Sequence, residues 1–147
     1  MSAFHVLNTD ASWRPSGEAA IGVVLRQKLK KGGPLTVVDY ISRTIRTESI
    51  TEAEYRALIK GLELAQDHEP TDLYVYSDSA SVVKQVNEKE PRFKKNREKL
   101  EPLHRRARGL IEGLGERLKT ISYLPREMNT EADQRAADAF LVQRKGK

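Results

Sequence analysis

After the first third the hydrophobic pattern of this chain passes from strand periods alone to helix and strand periods in alternation, and that change limits the possible folds more than any other feature. Over the first third the sequence reads as three strands, Phe4 to Thr9, Ala20 to Leu29 and Leu35 to Arg46. Turn chemistry separates them, at Arg14-Pro15-Ser16-Gly17 and at Lys31-Gly32-Gly33-Pro34. Connections this short make neighbouring strands antiparallel. The period then lengthens: Thr51 to Asp67 predicts a helix, Leu73 to Tyr76 a short apolar strand, and Ser79 to Glu88 a second helix. Between Lys95 and Leu118 the spacing of Leu100, Leu103, Leu110, Ile111 and Leu114 predicts a third helix. Pro102 predicts a break or kink in it, and Gly109, Gly113 and Gly115 loosen it further. Lys119 to Leu124 reads as a strand, Pro125 to Asn129 as a loop, and Thr130 to Val142 as a final helix before a fraying basic tail at 143–147. Antiparallel strands followed by alternating helices and strands imply an α/β fold of the mixed type, one sheet with helices on its faces.

A chain of 147 residues, 38% of them hydrophobic, can bury one full core but not two, so residues 1–147 are expected to form a single domain. No apolar run approaches the roughly 18 residues of a membrane span, and Met1 to Asp10 lacks a basic-then-apolar leader pattern. A cytoplasmic monomer without membrane contact is the resulting expectation. Zero cysteines exclude disulfides, thiolate catalysis and cysteine-held zinc. The histidines, His5, His68 and His104, show no ligand spacing, which leaves oxygen as the donor for any metal. His5 and His68 read as structural, and His104, amid Leu103, Arg105 and Arg106, as a surface or phosphate-side residue. Net charge is +5, and Arg92 to Arg108, with eight basic residues against Glu98 and Glu101, carries the whole surplus. Such a patch suits a polyanion, with a solvated, salt-bridged helix face as the alternative. Lys94, Lys95, Arg97, Arg105 and Arg106 are the candidates for holding phosphates.

Four acids stand at strand ends or helix starts. Asp10 follows the first strand, on the face of Phe4, Val6 and Asn8, where a turn aspartate is the plain alternative. Glu54 shares a helix face with Ala57, Leu58, Gly61 and Ala65, although Thr51 to Glu54 also fits a capping box. Asp78 follows Leu73 to Tyr76 and fits a helix N-cap equally well. Asp133 lines up with Ala136, Ala137 and Phe140, and Thr130 to Asp133 loosely mimics a cap. Four caps that all face inward are a less economical account than one shared purpose. Clustered carboxylates repel and call for a cation, and oxygen donors select a hard one, Mg2+ with Mn2+ as a substitute. Two such ions promote phosphodiester hydrolysis.

Four segments carry a resemblance: Asn8-Thr9-Asp10-Ala11-Ser12; Glu52 to Leu58; Tyr76-Ser77-Asp78-Ser79 with Val82 to Gln85; and Pro125 to Asn129 with Ala132-Asp133. In this order and at these intervals the chain resembles the type 1 ribonucleases H, in their compact archaeal and bacterial form, from about Phe4 to Leu141. The resemblance implies a five-stranded mixed sheet of the ribonuclease H-like fold and makes Asp10, Glu54, Asp78 and Asp133 the catalytic, metal-binding acids. It implies cleavage of the RNA strand of an RNA/DNA hybrid, leaving a 5'-phosphate and a 3'-hydroxyl. Substrate contacts are expected at Ser12, Trp13 and Arg14 after the first acid, Thr51 before the second, Ser79 after the third, and Arg126 and Asn129 before the fourth. Trp13 suits stacking on a sugar or base, with packing of a core or lid as its alternative.

Some positions depart from the family. Trp13 to Glu18 stands where relatives have a glycine-rich, asparagine-containing turn that senses RNA hydroxyls. Ile50 and Thr51 replace asparagines ahead of Glu54, and Arg126 and Glu127 lie where many relatives carry a loop histidine. These changes keep two alternatives open, a same-fold nuclease acting on structured or double-stranded RNA and a catalytically silent nucleic-acid-binding module.

Overall fold

The computed structural model describes residues 4–28 and 33–129. Five strands, β1 (Phe4–Trp13), β2 (Glu18–Lys28), β3 (Thr36–Arg46), β4 (Asp72–Ser77) and β5 (Leu118–Tyr123), form one sheet in the order β3-β2-β1-β4-β5. β2 pairs antiparallel with β1 and with β3, whereas β4 is parallel to β1 and β5 parallel to β4. The mixed sheet with its first three strands antiparallel is thus present. Three helices accompany it, α1 (Ile50–Asp67), α2 (Ala80–Val86) and α3 (Arg97–Leu114). The final helix expected over Thr130 to Val142, the tail after it and Asp133 lie outside the described residues.

β1 runs further than its apolar pattern suggests. Its register with β2 continues through Asp10–Gly22 to Trp13–Ala19 and closes at the turn Arg14 to Gly17. Gly17 sits at φ +92, and a Cβ there would come 3.1 Å from Arg46 Nη2, so the turn requires glycine. Pairing of β1 with β4 stops sooner, at Thr9–Ser77. Among the described residues, β1 from Asp10 onward pairs on one side only. After β1 the chain turns toward β2, and after β4 it turns the other way toward β5, so the carboxyl ends of β1 and β4 form a switch point of the kind where α/β sheets place their sites.

One face of the sheet buries Leu7, Val23, Leu25, Leu73 and Val75 against Tyr55, Leu58 and Leu62 of α1 and Leu100, Leu103 and Leu114 of α3. Fully buried Tyr55 donates its hydroxyl to Gln85 Oε1 at 2.5 Å, and burial pushes its pKa above the usual tyrosine range. Helix α1 approaches β1 closely because Gly61 lacks a side chain: a Cβ would lie 2.9 Å from Thr9 Cγ2 and 3.0 Å from Leu7 Cδ2. Helix propensity alone favours alanine over glycine by about 1 kcal/mol. Thr9 is fully buried and β-branched, so it has little freedom to move aside. Gly61→Ala is accordingly expected to destabilise the protein by about 1–3 kcal/mol, as overpacking does. Urea denaturation checks this; a more stable variant would mean that α1 and β1 separate easily.

Of the break or kink expected at Pro102 the break is absent, since helix α3 continues through that residue. Proline removes only the hydrogen bond to the carbonyl four residues back, that of Glu98 in the first turn. Leu100, Leu103, Ala107 and Leu114, all buried on one side, anchor the helix on both sides of it. His104 also corrects the reading as a surface or phosphate-side residue. It is 3% exposed, and its Nε2 donates to the carbonyls of Gln85 at 2.9 Å and Glu88 at 2.8 Å. The imidazole satisfies carbonyls at the end of α2, which is a structural task.

At the amino end of β1, His5 is 4% exposed and its ring lies 6.5 Å from that of His68, whose Nε2 is 2.9 Å from Asp39 Oδ2. Burial, and then the charge on His68, hold the His5 pKa below its ordinary 6.5. The folded protein thus prefers neutral His5, while the unfolded chain protonates near 6.5. The resulting stability is complete above that value and is lost as pH falls through it toward the folded pKa. Melting curves between pH 7 and pH 5 should show this loss, and His5→Gln should flatten it; an unchanged slope would clear His5 of the effect.

Candidate active site

Two serines settle what the acids are not doing. Ser49 caps α1 by accepting from the Glu52 backbone N–H at 3.1 Å, while Glu52 Oε1 accepts from the Glu48 N–H at 2.9 Å. The helix cap therefore sits two residues before the one expected at Thr51 and Glu54, with Glu52 reaching back to Glu48 just ahead of the N-cap, and Glu54 is not part of it. Ser79 likewise caps α2, accepting from the Val82 N–H, so Asp78 is not the N-cap. Asp10 is not a turn aspartate, because it lies within β1 opposite Gly22.

The sheet and helix ends bring these three acids together. Asp10 comes from β1, Glu54 from the start of α1, and Asp78 directly follows β4; one carboxylate oxygen from each lies within 4.8 Å of the others. Asp10 is fully buried, Glu54 is 5% exposed, and Asp78 is half-buried at the rim. Among the described residues this is the one cluster of three or more histidine, cysteine or acidic side chains close enough to share a metal ion. Every donor in it is a carboxylate oxygen, a set that fits a hard divalent cation and not a soft one.

The expected substrate residues have differing surroundings. Ser12, Trp13 and Arg14 follow Asp10 at the open end of β1. Trp13 packs against the small cluster of Ala11, Ala19, Ile21, Ala53 and Ala57 and donates its indole N–H to the Thr47 carbonyl at 3.2 Å. It forms one wall of a groove with Ser16, Arg46, Thr47, Glu52 and Lys99. Arg14 pairs with Glu18 at 2.7 Å, and Thr51 is half-buried in the first turn of α1. Ser79 is held by its capping role. Lys94 and Lys95, ahead of α3, and Arg105 within it are exposed, with no ion pair among the described residues. Arg97 pairs with Glu101 at 3.5 Å and Arg106 with Glu63, so part of the basic run is the salt-bridged face. Arg126 opens a 3-10 turn, Arg126–Met128.

Asn129 corrects its reading as a substrate contact. It is 2% exposed, and both ends of its amide are engaged by the protein. Asn8 Nδ2 donates to Asn129 Oδ1 at 2.9 Å, and Asn129 Nδ2 donates to the Thr9 carbonyl at 2.9 Å. Arg26 Nη1 donates to Asn8 Oδ1 at 3.1 Å. Sequence reasoning did not find Asn8 or Arg26. A polar residue alternating with apolar ones in β1 was the available signal, and it was absorbed into the face of Asp10.

Comparison with known proteins follows the same outline. A family model described as reverse transcriptase-like matches residues 8–139. No curated protein sequence matches the chain. Among solved structures, ribonuclease H1 of the halophilic archaeon Halobacterium salinarum NRC-1 is similar at a TM-score of 0.79 and 31% identity, covering 95% of this chain and 98% of that one. The N-terminal ribonuclease H domain of a Mycobacterium tuberculosis protein gives 0.79 and 29%, covering 99% of each chain. LC11 ribonuclease H1, solved in complex with an RNA/DNA hybrid, gives 0.75 and 25%, covering 95% and 98%. With that family match spanning nearly its whole length, and with an archaeal ribonuclease H1 at 31% identity, the chain belongs to the type 1 ribonucleases H of the ribonuclease H-like superfamily.

Proposed function

We propose that this ribonuclease H hydrolyses the RNA strand of RNA/DNA hybrids by two-metal-ion phosphodiester cleavage, leaving a 5'-phosphate and a 3'-hydroxyl. One observation carries the proposal: carboxylates from three separate elements lie within 4.8 Å of one another at the sheet's switch point. Asp10, Glu54 and Asp78, with Asp133 as the fourth acid, would hold the ions, Mg2+ by preference and Mn2+ as a substitute. When bound, such ions supply Lewis acidity to the phosphate and lower the pKa of the attacking water. Asp10 and Glu54 are buried and fixed to β1 and α1, so these two donors are held in place before substrate arrives.

The remaining residues would position the duplex. Trp13 offers an aromatic wall three residues beyond Asp10 in β1, and Ser12, Arg14 and Thr51 stand near the same strand and helix ends. Lys94, Lys95 and Arg105 would contact backbone phosphates, with Arg97 and Arg106 adding less because each has an acidic partner. Arg126, in the loop before Asp133, would reach the scissile or a neighbouring phosphate. LC11 ribonuclease H1 binds an RNA/DNA hybrid in its solved complex, which supports that substrate here. The chain would act as a single-domain monomer in the cytoplasm; among the described residues no helix is long and apolar enough to cross a membrane.

A panel of labelled hybrid, duplex RNA, single-stranded RNA and duplex DNA tests the substrate. Cutting confined to the RNA strand of the hybrid is expected. Comparable cutting of duplex RNA would move the assignment to a same-fold nuclease, and binding without cutting to a silent module.

A further inference from the structure

The amides of Asn8 and Asn129 form a hydrogen-bond relay whose direction is fixed at both ends. Arg26 can only donate, so it holds the oxygen of Asn8 at 3.1 Å. Asn8 must then turn its NH2 toward Asn129, whose oxygen accepts at 2.9 Å. Asn129 in turn directs its own NH2 to the Thr9 carbonyl, which can only accept. Neither amide can flip without facing like against like. Asn8 is 6% exposed and Asn129 2%, so breaking one link strands a buried polar group away from water.

The relay touches the chain at telling places. The Thr9 carbonyl belongs to the peptide that joins Thr9 to Asp10. At the other end of the same loop, the Leu124 N–H donates to the Ser77 carbonyl at 2.9 Å, in the residue before Asp78. The segment from Leu124 to Asn129 is thus stapled beside two of the clustered acids. Asp133 follows Asn129 by four positions in the sequence.

We infer that the relay from Arg26 through Asn8 and Asn129 is a positioning device, holding the peptide that carries Asp10 and so setting the affinity of the metal site that Asp10 shares with Glu54 and Asp78. The inference rests on the proposed role of the Asp10, Glu54 and Asp78 cluster as a metal site. Asn8 and Asn129 are positioning residues; they act through the peptide before Asp10. Groups that orient metal ligands from behind typically change metal affinity 10–100-fold when removed.

Asn8→Asp isolates the effect. It is isosteric and keeps an acceptor for Arg26, but it cannot donate to Asn129. It also adds a negative charge two residues from Asp10, which by simple attraction would tighten cation binding. Weaker binding would therefore report geometry and not charge. Mn2+ binding is measured on the substrate-free protein by electron paramagnetic resonance of the free ion, for wild type, Asn8→Asp, Asn129→Ala and Arg26→Lys. Asn8→Asp and Asn129→Ala are expected to bind Mn2+ roughly tenfold more weakly, the lower end of the range for such orienting groups. Arg26→Lys, which still donates to Asn8, should bind as wild type does. If Asn129→Ala fails to fold, the Asn8→Asp and Arg26→Lys pair decides. Wild-type Mn2+ affinity in a folded Asn8→Asp protein would overturn the inference and leave the relay a staple of the fold. A wild-type protein that binds no Mn2+ would remove the metal-site reading itself, and the inference with it.

Discussion

Asp10→Asn should melt higher than the wild type in EDTA and yet cleave about a thousandfold more slowly in Mg2+, a loss of roughly 4 kcal/mol in transition-state stabilisation. Both effects have one origin. Two full charges no more than 4.8 Å apart repel by about 3.5 kcal/mol or more at an effective dielectric near 20, and Asp10 has two such neighbours. Solvent around half-buried Asp78 screens part of this, so a rise of a few degrees, at roughly 2–4 °C per kcal/mol, is the expected gain. Asparagine keeps the shape and loses the charge, so the packing of β1 is undisturbed. Mg2+ should raise the wild-type melting temperature, because it binds only the folded cluster, and raise that of Asp10→Asn less. Differential scanning calorimetry with and without Mg2+ checks the stability arm. A destabilised Asp10→Asn protein would mean that Asp10 serves the fold before it serves the site.

The second large effect concerns substrate binding. Replacing Lys94, Lys95 and Arg105 together by alanine is expected to raise KM for the hybrid about 10- to 100-fold while leaving kcat within about twofold, as removal of phosphate-binding cations does. The slope of log affinity against log salt should become shallower by about 2–3, near one unit for each cation withdrawn from a phosphate. Arg97→Ala and Arg106→Ala act as internal controls with smaller effects, since Glu101 and Glu63 already hold those side chains. Steady-state kinetics over a salt series decides. An unchanged KM and slope would make the basic run around α3 a solvated helix face.

Much of the fold was legible because one sheet face is continuous in its apolar pattern: Leu7, Val23, Leu25, Leu73 and Val75 show the strands without any tertiary information. The acids were legible as one candidate site, but the local alternatives for each were not resolved. Thr51 to Glu54 and Ser49 to Glu52 both match a capping box, and only the hydrogen bonds distinguish them. Asp10 looked like a strand terminus because the apolar alternation fades there, whereas β2 continues the pairing to Trp13. His104 and Asn129 were misread for a shared reason. A polar residue among charged or loop residues looks exposed in one dimension, but here each is buried to satisfy distant carbonyls, at Gln85 and Glu88 for the first and Thr9 for the second. Pro102 failed to break α3 because the buried leucines around it outweigh one missing hydrogen bond. None of these partnerships leaves a periodic signal.

The central claim, that this carboxylate cluster holds the metal ions that cut RNA in a hybrid, is tested most directly by strand-labelled hybrid cleavage. Wild type and Asp10→Asn are incubated with Mg2+ or with EDTA, and the new RNA ends are identified. The expected result is wild-type cutting of the RNA strand in Mg2+ alone, with 5'-phosphate ends, and no comparable cutting by Asp10→Asn. Cleavage that persists in EDTA, or that survives Asp10→Asn at the wild-type rate, would contradict it.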